Sequence, residues 1–124
     1  MKNKIIAFDL DDTLCSRPND VEHLGGDKYQ HCYPIQKNID ILNKLASEGN
    51  TIYIYTARGM STFNGNVDKI YENLYELTLT HLKEWGVNHH GLYMGKIHYD
   101  LLVDDKVIHV DDIDCLISSI EDNE

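Results

Sequence analysis

Four apolar residues, Ile5-Ile6-Ala7-Phe8, run without interruption and stop abruptly at Asp9-Leu10-Asp11-Asp12-Thr13. An unbroken apolar run of this length suits a strand covered on both faces, as in a parallel sheet beneath helices. Thr51-Ile52-Tyr53-Ile54-Tyr55 repeats the pattern with β-branched and aromatic residues and ends in Thr56-Ala57-Arg58. A weaker run, Gly91-Leu92-Tyr93-Met94, leads into Gly95-Lys96, and a fourth strand is expected over Asp100–Asp105, ending in the pair Asp104-Asp105.

Helical spacing fills the intervals. Ile35, Ile39, Leu42, Leu45 and Ala46 recur three and four apart before Gly49, where a left-handed residue often closes a helix. The longest helix is expected from Val67 to Trp85, carried by Ile70, Leu74, Leu77, Leu82 and Trp85 and stopped by Gly86. A last helix should start near Asp111 or Asp112 and run through Ile113, Leu116, Ile117 and Ile120. Strands alternating with helices predict an α/β domain: a Rossmann-like core with a mainly parallel sheet flanked by helices. A chain of 124 residues buries roughly two thirds of its unfolded surface around one core and has no length for a second globular unit. Residues 15–34, with Pro18, Gly25, Gly26 and Pro34, are therefore expected to form a loop or small flap and not a cap domain.

Charge narrows the choice of partners. The chain has 21 acidic and 11 basic side chains, a formal charge of −10, which argues against nucleic acid and against an anionic membrane surface. No apolar run approaches the ~20 residues of a membrane span, and no signal-peptide pattern follows Met1, so a cytoplasmic location is expected. Cys15, Cys32 and Cys115 are odd in number and widely spaced, which predicts reduced thiols. The seven histidines include no pair at the spacing of a metal-binding helix.

In an open parallel sheet, ligands collect beyond the carboxyl ends of the strands. Those ends carry Asp9, Asp11 and Thr13, then Thr56 and Arg58, then Lys96, then Asp104 and Asp105. Gathered carboxylates repel one another and repel a phosphate dianion, so a crevice built from them calls for Mg²⁺, a hard cation that takes oxygen ligands, and for a lysine. The Thr56 hydroxyl and the amides near Leu10, Asp11 and Ala57 can hydrogen-bond phosphoryl oxygens. One carboxylate can then attack phosphorus while a second, kept neutral by its acidic neighbours and by burial, protonates the leaving alcohol.

The residues that carry this chemistry resemble the four motifs of the haloacid dehalogenase superfamily of phosphatases: D-x-D-x-T at Asp9, Asp11 and Thr13, a strand ending in Thr56, then Lys96, then Asp104-Asp105. The likeness spans residues 5–105. It implies Asp9 as nucleophile and Mg²⁺ ligand, and Asp11 as general acid/base with its backbone carbonyl on the metal. Thr13 would orient Asp11, Thr56 would bind phosphate, and Lys96 would hold nucleophile and phosphate together. Asp104 and Asp105 would hold Mg²⁺ directly or through water. Thr56-Ala57-Arg58-x-Met60, Gly65-Asn66 and Lys69-Ile70 are similar to a capless group associated with capsule and lipopolysaccharide biosynthesis. That similarity implies a phosphorylated sugar, polyol or amino-alcohol as the small substrate, with Arg58 and Asn66 as candidate contacts. The sequence departs from the family at Asp12, where many relatives have glycine, and at Ile97, where proline often follows the lysine.

Other readings remain beside this one. Lys106 competes with Lys96 as the site lysine, Arg58 can instead pair with an acid, and Gly65-Asn66 can be a plain turn. A receiver-type signalling module has similar length but places its acceptor aspartate after the third strand, where this chain has Met94-Gly95. A domain of the same fold that binds a phosphorylated ligand without turning it over is the other alternative. The aromatic helix 67–85 offers a face for a homo-oligomer.

Overall fold

The computed structural model describes residues 1–117. Its centre is a parallel sheet of three strands, β1 (Ile5–Phe8), β4 (Thr51–Tyr55) and β5 (Gly91–Tyr93), in the order β1-β4-β5. Ile5 lies opposite Thr51 and Phe8 opposite Ile54, while Tyr53 faces Gly91 and Tyr55 faces Tyr93. Ile52 and Ile54, on one face of the central strand, are wholly buried, whereas the opposite face is not covered as expected: Tyr53 is partly buried there and Tyr55 is 42% exposed. His90 lengthens the β4–β5 ladder: its N–H donates to the Ile52 carbonyl at 2.7 Å, and its Nδ1 accepts from the Ile52 N–H at 2.9 Å.

Two helices flank the sheet. In α1 (Gln36–Ser47), Ile39, Ile41, Leu42 and Leu45 are buried, and Gly49 follows at φ +93°. In α2 (Val67–Glu84), Ile70, Leu74, Thr78, His81 and Leu82 form the buried stripe, and Trp85 closes the helix, stacked on His81 at 4.7 Å. Both helices and all three of these strands fall where periodicity places them. No helix among the described residues is long and apolar enough to cross a membrane.

Residues 15–34 hold more structure than a loop. Cys15–Ser16 (β2) and Tyr33–Pro34 (β3) pair antiparallel, and between them Asn19–His31 coils in 3-10 turns broken at Gly25. This insert packs Gly26 against Thr62 and Phe63 of the turn after β4.

The fourth strand does not form. Residues 101–103 join neither sheet, Val103 is 90% exposed, and β1 is left as a sheet edge with Ile5 72% exposed. A run of three apolar residues adds only a few ladder bonds at about 1 kcal/mol each. Ordering its flanks costs about 1–2 kcal/mol per residue, and docking it would bring Asp104 and Asp105 toward Asp9 and Asp12. The segment instead borders an open groove of about 1230 Å³ whose other wall is β1. The last helix also begins differently. His109 accepts from the Asp111 N–H and caps a 3-10 turn, Val110–Asp112, before the helical residues 114–117. Ile113 and Leu116 are buried as expected, and Ile120 lies outside the described residues.

Candidate functional site

The three parallel strands end on one side of the sheet, and their order sets the order of the site. Asp9 follows β1, Thr56 follows β4, and Lys96 stands three residues beyond β5, its N–H donating to the Thr56 carbonyl at 3.1 Å. The Lys96 ammonium lies 3.8 Å from Asp9 Oδ1, between the rings of Tyr55 and Tyr99. Lys106, the rival lysine, is exposed and pairs with Asp105 at 3.4 Å. Asp9, Thr56 and Lys96 share a cleft of about 370 Å³ with Asp11, Asp12, Ala57 and Arg58.

Burial pushes the Asp9 carboxyl above its usual range, and the nearby Lys96 charge and the Leu10 N–H, which donates to Oδ1 at 2.9 Å, only partly offset that. The Leu10 amide is therefore already used by Asp9 and is not an open phosphate donor, whereas Ala57 lines the cleft directly. Thr56 is 1% exposed, and its Oγ1 accepts from the Arg58 N–H at 3.0 Å, which leaves the hydroxyl proton to be donated elsewhere.

Asp11 differs most from expectation. Arg58, 2% exposed, grips both of its oxygens: Nε donates to Oδ2 at 3.1 Å and Nη2 to Oδ1 at 2.9 Å. The rest of the guanidinium reaches Thr78 Oγ1 and His81 Nδ1, each at 3.2 Å, and lies over the Tyr29 ring. Burial alone would raise the Asp11 carboxyl, but the bonds and charge of Arg58, helped by Cys15 and Arg17, hold it below the ordinary range. The expected neutral Asp11 is thus corrected to an ionised one, because a buried guanidinium stabilises the carboxylate more than its acidic neighbours and burial destabilise it. Thr13 does not orient it: among the described residues the Asp11 carboxylate is bound by Arg58, Arg17, Cys15 and Cys32.

The two thiols are a feature that spacing hides. The β2–β3 hairpin brings Cys15 and Cys32 together, and with Asp11 their ligand atoms all lie within 4.8 Å of one another. Arg58 Nη2 is 3.7 Å from one sulfur and 3.6 Å from the other. A metal ion bound by this trio would have to displace a guanidinium already bound to all three. The contact between the thiols, with burial, pushes Cys15 up, while the same contact and the Arg58 charge hold Cys32 down.

The oxygen donors fit a hard divalent ion better. Asp9 Oδ2 and the Asp11 carbonyl have no hydrogen-bond partner among the described residues, and Asp104 borders the same open groove as Asp9. Asp105 does not line that groove, and both acids stand on an exposed turn in which Asp104 Oδ1 accepts from the Lys106 N–H at 3.0 Å. Asp12 takes φ +65°, a left-handed conformation that glycine adopts without cost and that aspartate tolerates better than most residues. Asn66 lies outside the cleft and caps α2, accepting from the Lys69 N–H at 3.2 Å. Tyr29, one of the insert's aromatic residues that the sequence offers as a substrate contact beside His23, His31 and Tyr33, does line the cleft. Arg17 and Lys28 of the insert, and His98 beyond β5, line it without having been singled out, since an insert lacking periodicity gives no sign of which of its side chains fold inward.

No known family profile matches the chain, and no curated protein matches it. Among solved structures it is similar to the crystal structure of an MCSG target from Vibrio cholerae. The two share 24% identity and a TM-score of 0.76 over 98% of this chain and 99% of that one. The two proteins share a fold.

Proposed function

We propose that this chain is a Mg²⁺-dependent phosphomonoesterase of the haloacid dehalogenase type, acting on a small phosphorylated metabolite through an aspartyl-phosphate on Asp9. One observation supports the reading above others: neighbouring strand ends deliver a carboxylate, a buried hydroxyl and an ammonium, Asp9, Thr56 and Lys96, to a single cleft. Lys96 and the Thr56 hydroxyl would bind phosphoryl oxygens while an Asp9 oxygen attacks phosphorus and the bond to the alcohol oxygen breaks. Water then attacks the phosphorus of the aspartyl-phosphate, releasing phosphate and restoring Asp9. Held by the Asp9 carboxylate and the Asp11 carbonyl, with Asp104 in reach of the groove, Mg²⁺ would supply the positive charge that lets a phosphate dianion approach carboxylates.

Asp11 suits one half of the cycle better than the other. As an ionised group it can take a proton from the attacking water. To donate a proton to the leaving alcohol it must first be released by Arg58. That lock favours one rival reading, a domain that binds phosphate esters without turnover. The receiver reading gains nothing, since Thr56 and Met94, not aspartates, follow β4 and β5. Phosphate release from a panel of sugar and polyol phosphates, with Mg²⁺ and with EDTA, separates the two. Metal-dependent release supports the phosphatase, and saturable binding with no release supports the rival.

A further inference from the structure

The chain is strongly acidic, yet its cleft reverses that balance. Four of the 11 basic side chains, Arg17, Lys28, Arg58 and Lys96, line it against three carboxylates, Asp9, Asp11 and Asp12. Arg58 is committed to Asp11, and Lys96 stands at Asp9. Arg17 and Lys28 belong to the insert, and both lie over the ring of Tyr29, at 5.2 and 5.3 Å. Their side chains are mostly buried, and they close on one carboxylate from two sides. Arg17 Nε donates to Glu22 Oε1 at 2.7 Å, and Lys28 Nζ donates to Glu22 Oε2 at 3.2 Å. Glu22 itself is half exposed and does not line the cleft.

Each oxygen of a planar carboxylate is thus held by its own cation, and the two cations face a cleft whose other groups are arranged for a phosphoryl group. We infer that Arg17 and Lys28 form a subsite for a carboxylate on the substrate, which is a phosphorylated acid, and that Glu22 occupies this clasp until the substrate replaces it. The inference rests on the phosphatase reading for where the phosphoryl group sits. Replacement exchanges one carboxylate for another on cations already largely withdrawn from water, and the displaced Glu22 returns to solvent from an exposed position. A neutral tail cannot make the exchange.

The test compares matched esters that differ in the acid: 3-phosphoglycerate with glycerol 3-phosphate, and 6-phosphogluconate with glucose 6-phosphate. In at least one pair the acid should show a kcat/KM about 10- to 100-fold higher, the range of a single charge-assisted hydrogen bond, which is the surplus left once the contacts to Glu22 have been given up. In R17Q/K28Q that ratio should fall toward one, and in E22Q the KM for the acid should drop because the internal competitor is weakened. Hydrolysis without preference in either pair would overturn the subsite and leave the phosphatase reading standing. If no ester is hydrolysed, the phosphatase reading fails. Calorimetric titration of the same four compounds then decides the subsite, which stands if an acid binds more tightly than its neutral match and R17Q/K28Q removes the difference, and falls otherwise.

Discussion

Replacing Arg58 with methionine keeps most of the side chain's volume and removes its charge. The guanidinium is wholly buried and donates twice to Asp11, with further contacts to Thr78, His81 and both thiols. Asp11, only 18% exposed, would be left as a nearly buried carboxylate whose charged partner is Arg17 at 3.7 Å. Breaking one side of such a pair costs about 3–5 kcal/mol, because the remaining charge must either stay unpaired or take up a proton. At about 2.1 cal/mol/K of unfolding entropy per residue, a loss near 4 kcal/mol lowers Tm by about 15 °C for a chain of this length. Urea unfolding at pH 7 in EDTA measures it. Asp11→Asn alone should be destabilising too, and the double variant should lose clearly less than the sum of the single losses. A loss below about 1 kcal/mol for Arg58→Met, or strict additivity in the double variant, would refute the argument that the pair is energetically coupled.

Three further outcomes follow from the same geometry. Because the folded Asp11 carboxyl is held below 3.8, the unfolded chain binds the extra proton first as pH falls; its contribution is complete well above that value and is lost as pH drops through the folded pKa. Acid titration of stability should therefore narrow the gap between the wild-type protein and Arg58→Met, and a gap that widens toward low pH would contradict the assignment. Asn66→Ala should cost about 1 kcal/mol through loss of the α2 cap, without changing phosphate affinity, as read by urea unfolding and by phosphate inhibition. Gly59→Ala should destabilise by more than about 1 kcal/mol in the same unfolding assay, since φ is +85° and an added Cβ would meet Leu74 Cδ1 at 2.6 Å.

What the sequence discloses and what it hides divide along physical lines. β4, α1 and α2 announce themselves because their apolar spacing reports the buried face, while the unbroken run of β1 marks a strand but overstates its burial, since only Phe8 of the four is buried. Asp9, Thr56 and Lys96 follow because strand ends in a parallel sheet point one way. The run at 101–103 carries the same local signal, but three residues flanked by acids do not secure a place in the sheet. The Arg58–Asp11 pair joins residues 47 apart, and the thiols meet across a hairpin of two-residue strands. Neither contact leaves a periodic trace. The departure at Asp12 is legible once its left-handed backbone is seen, since that is the conformation a glycine would have supplied there.

The central claim is that Asp9 is the nucleophile, and phosphate release by Asp9→Asn tests it most directly. With Mg²⁺ and a phosphate ester that the wild-type protein hydrolyses, folded Asp9→Asn should release phosphate at least about 1,000-fold more slowly, because an amide oxygen cannot form the aspartyl-phosphate. A folded Asp9→Asn protein that hydrolyses the same ester at the wild-type rate would contradict the account.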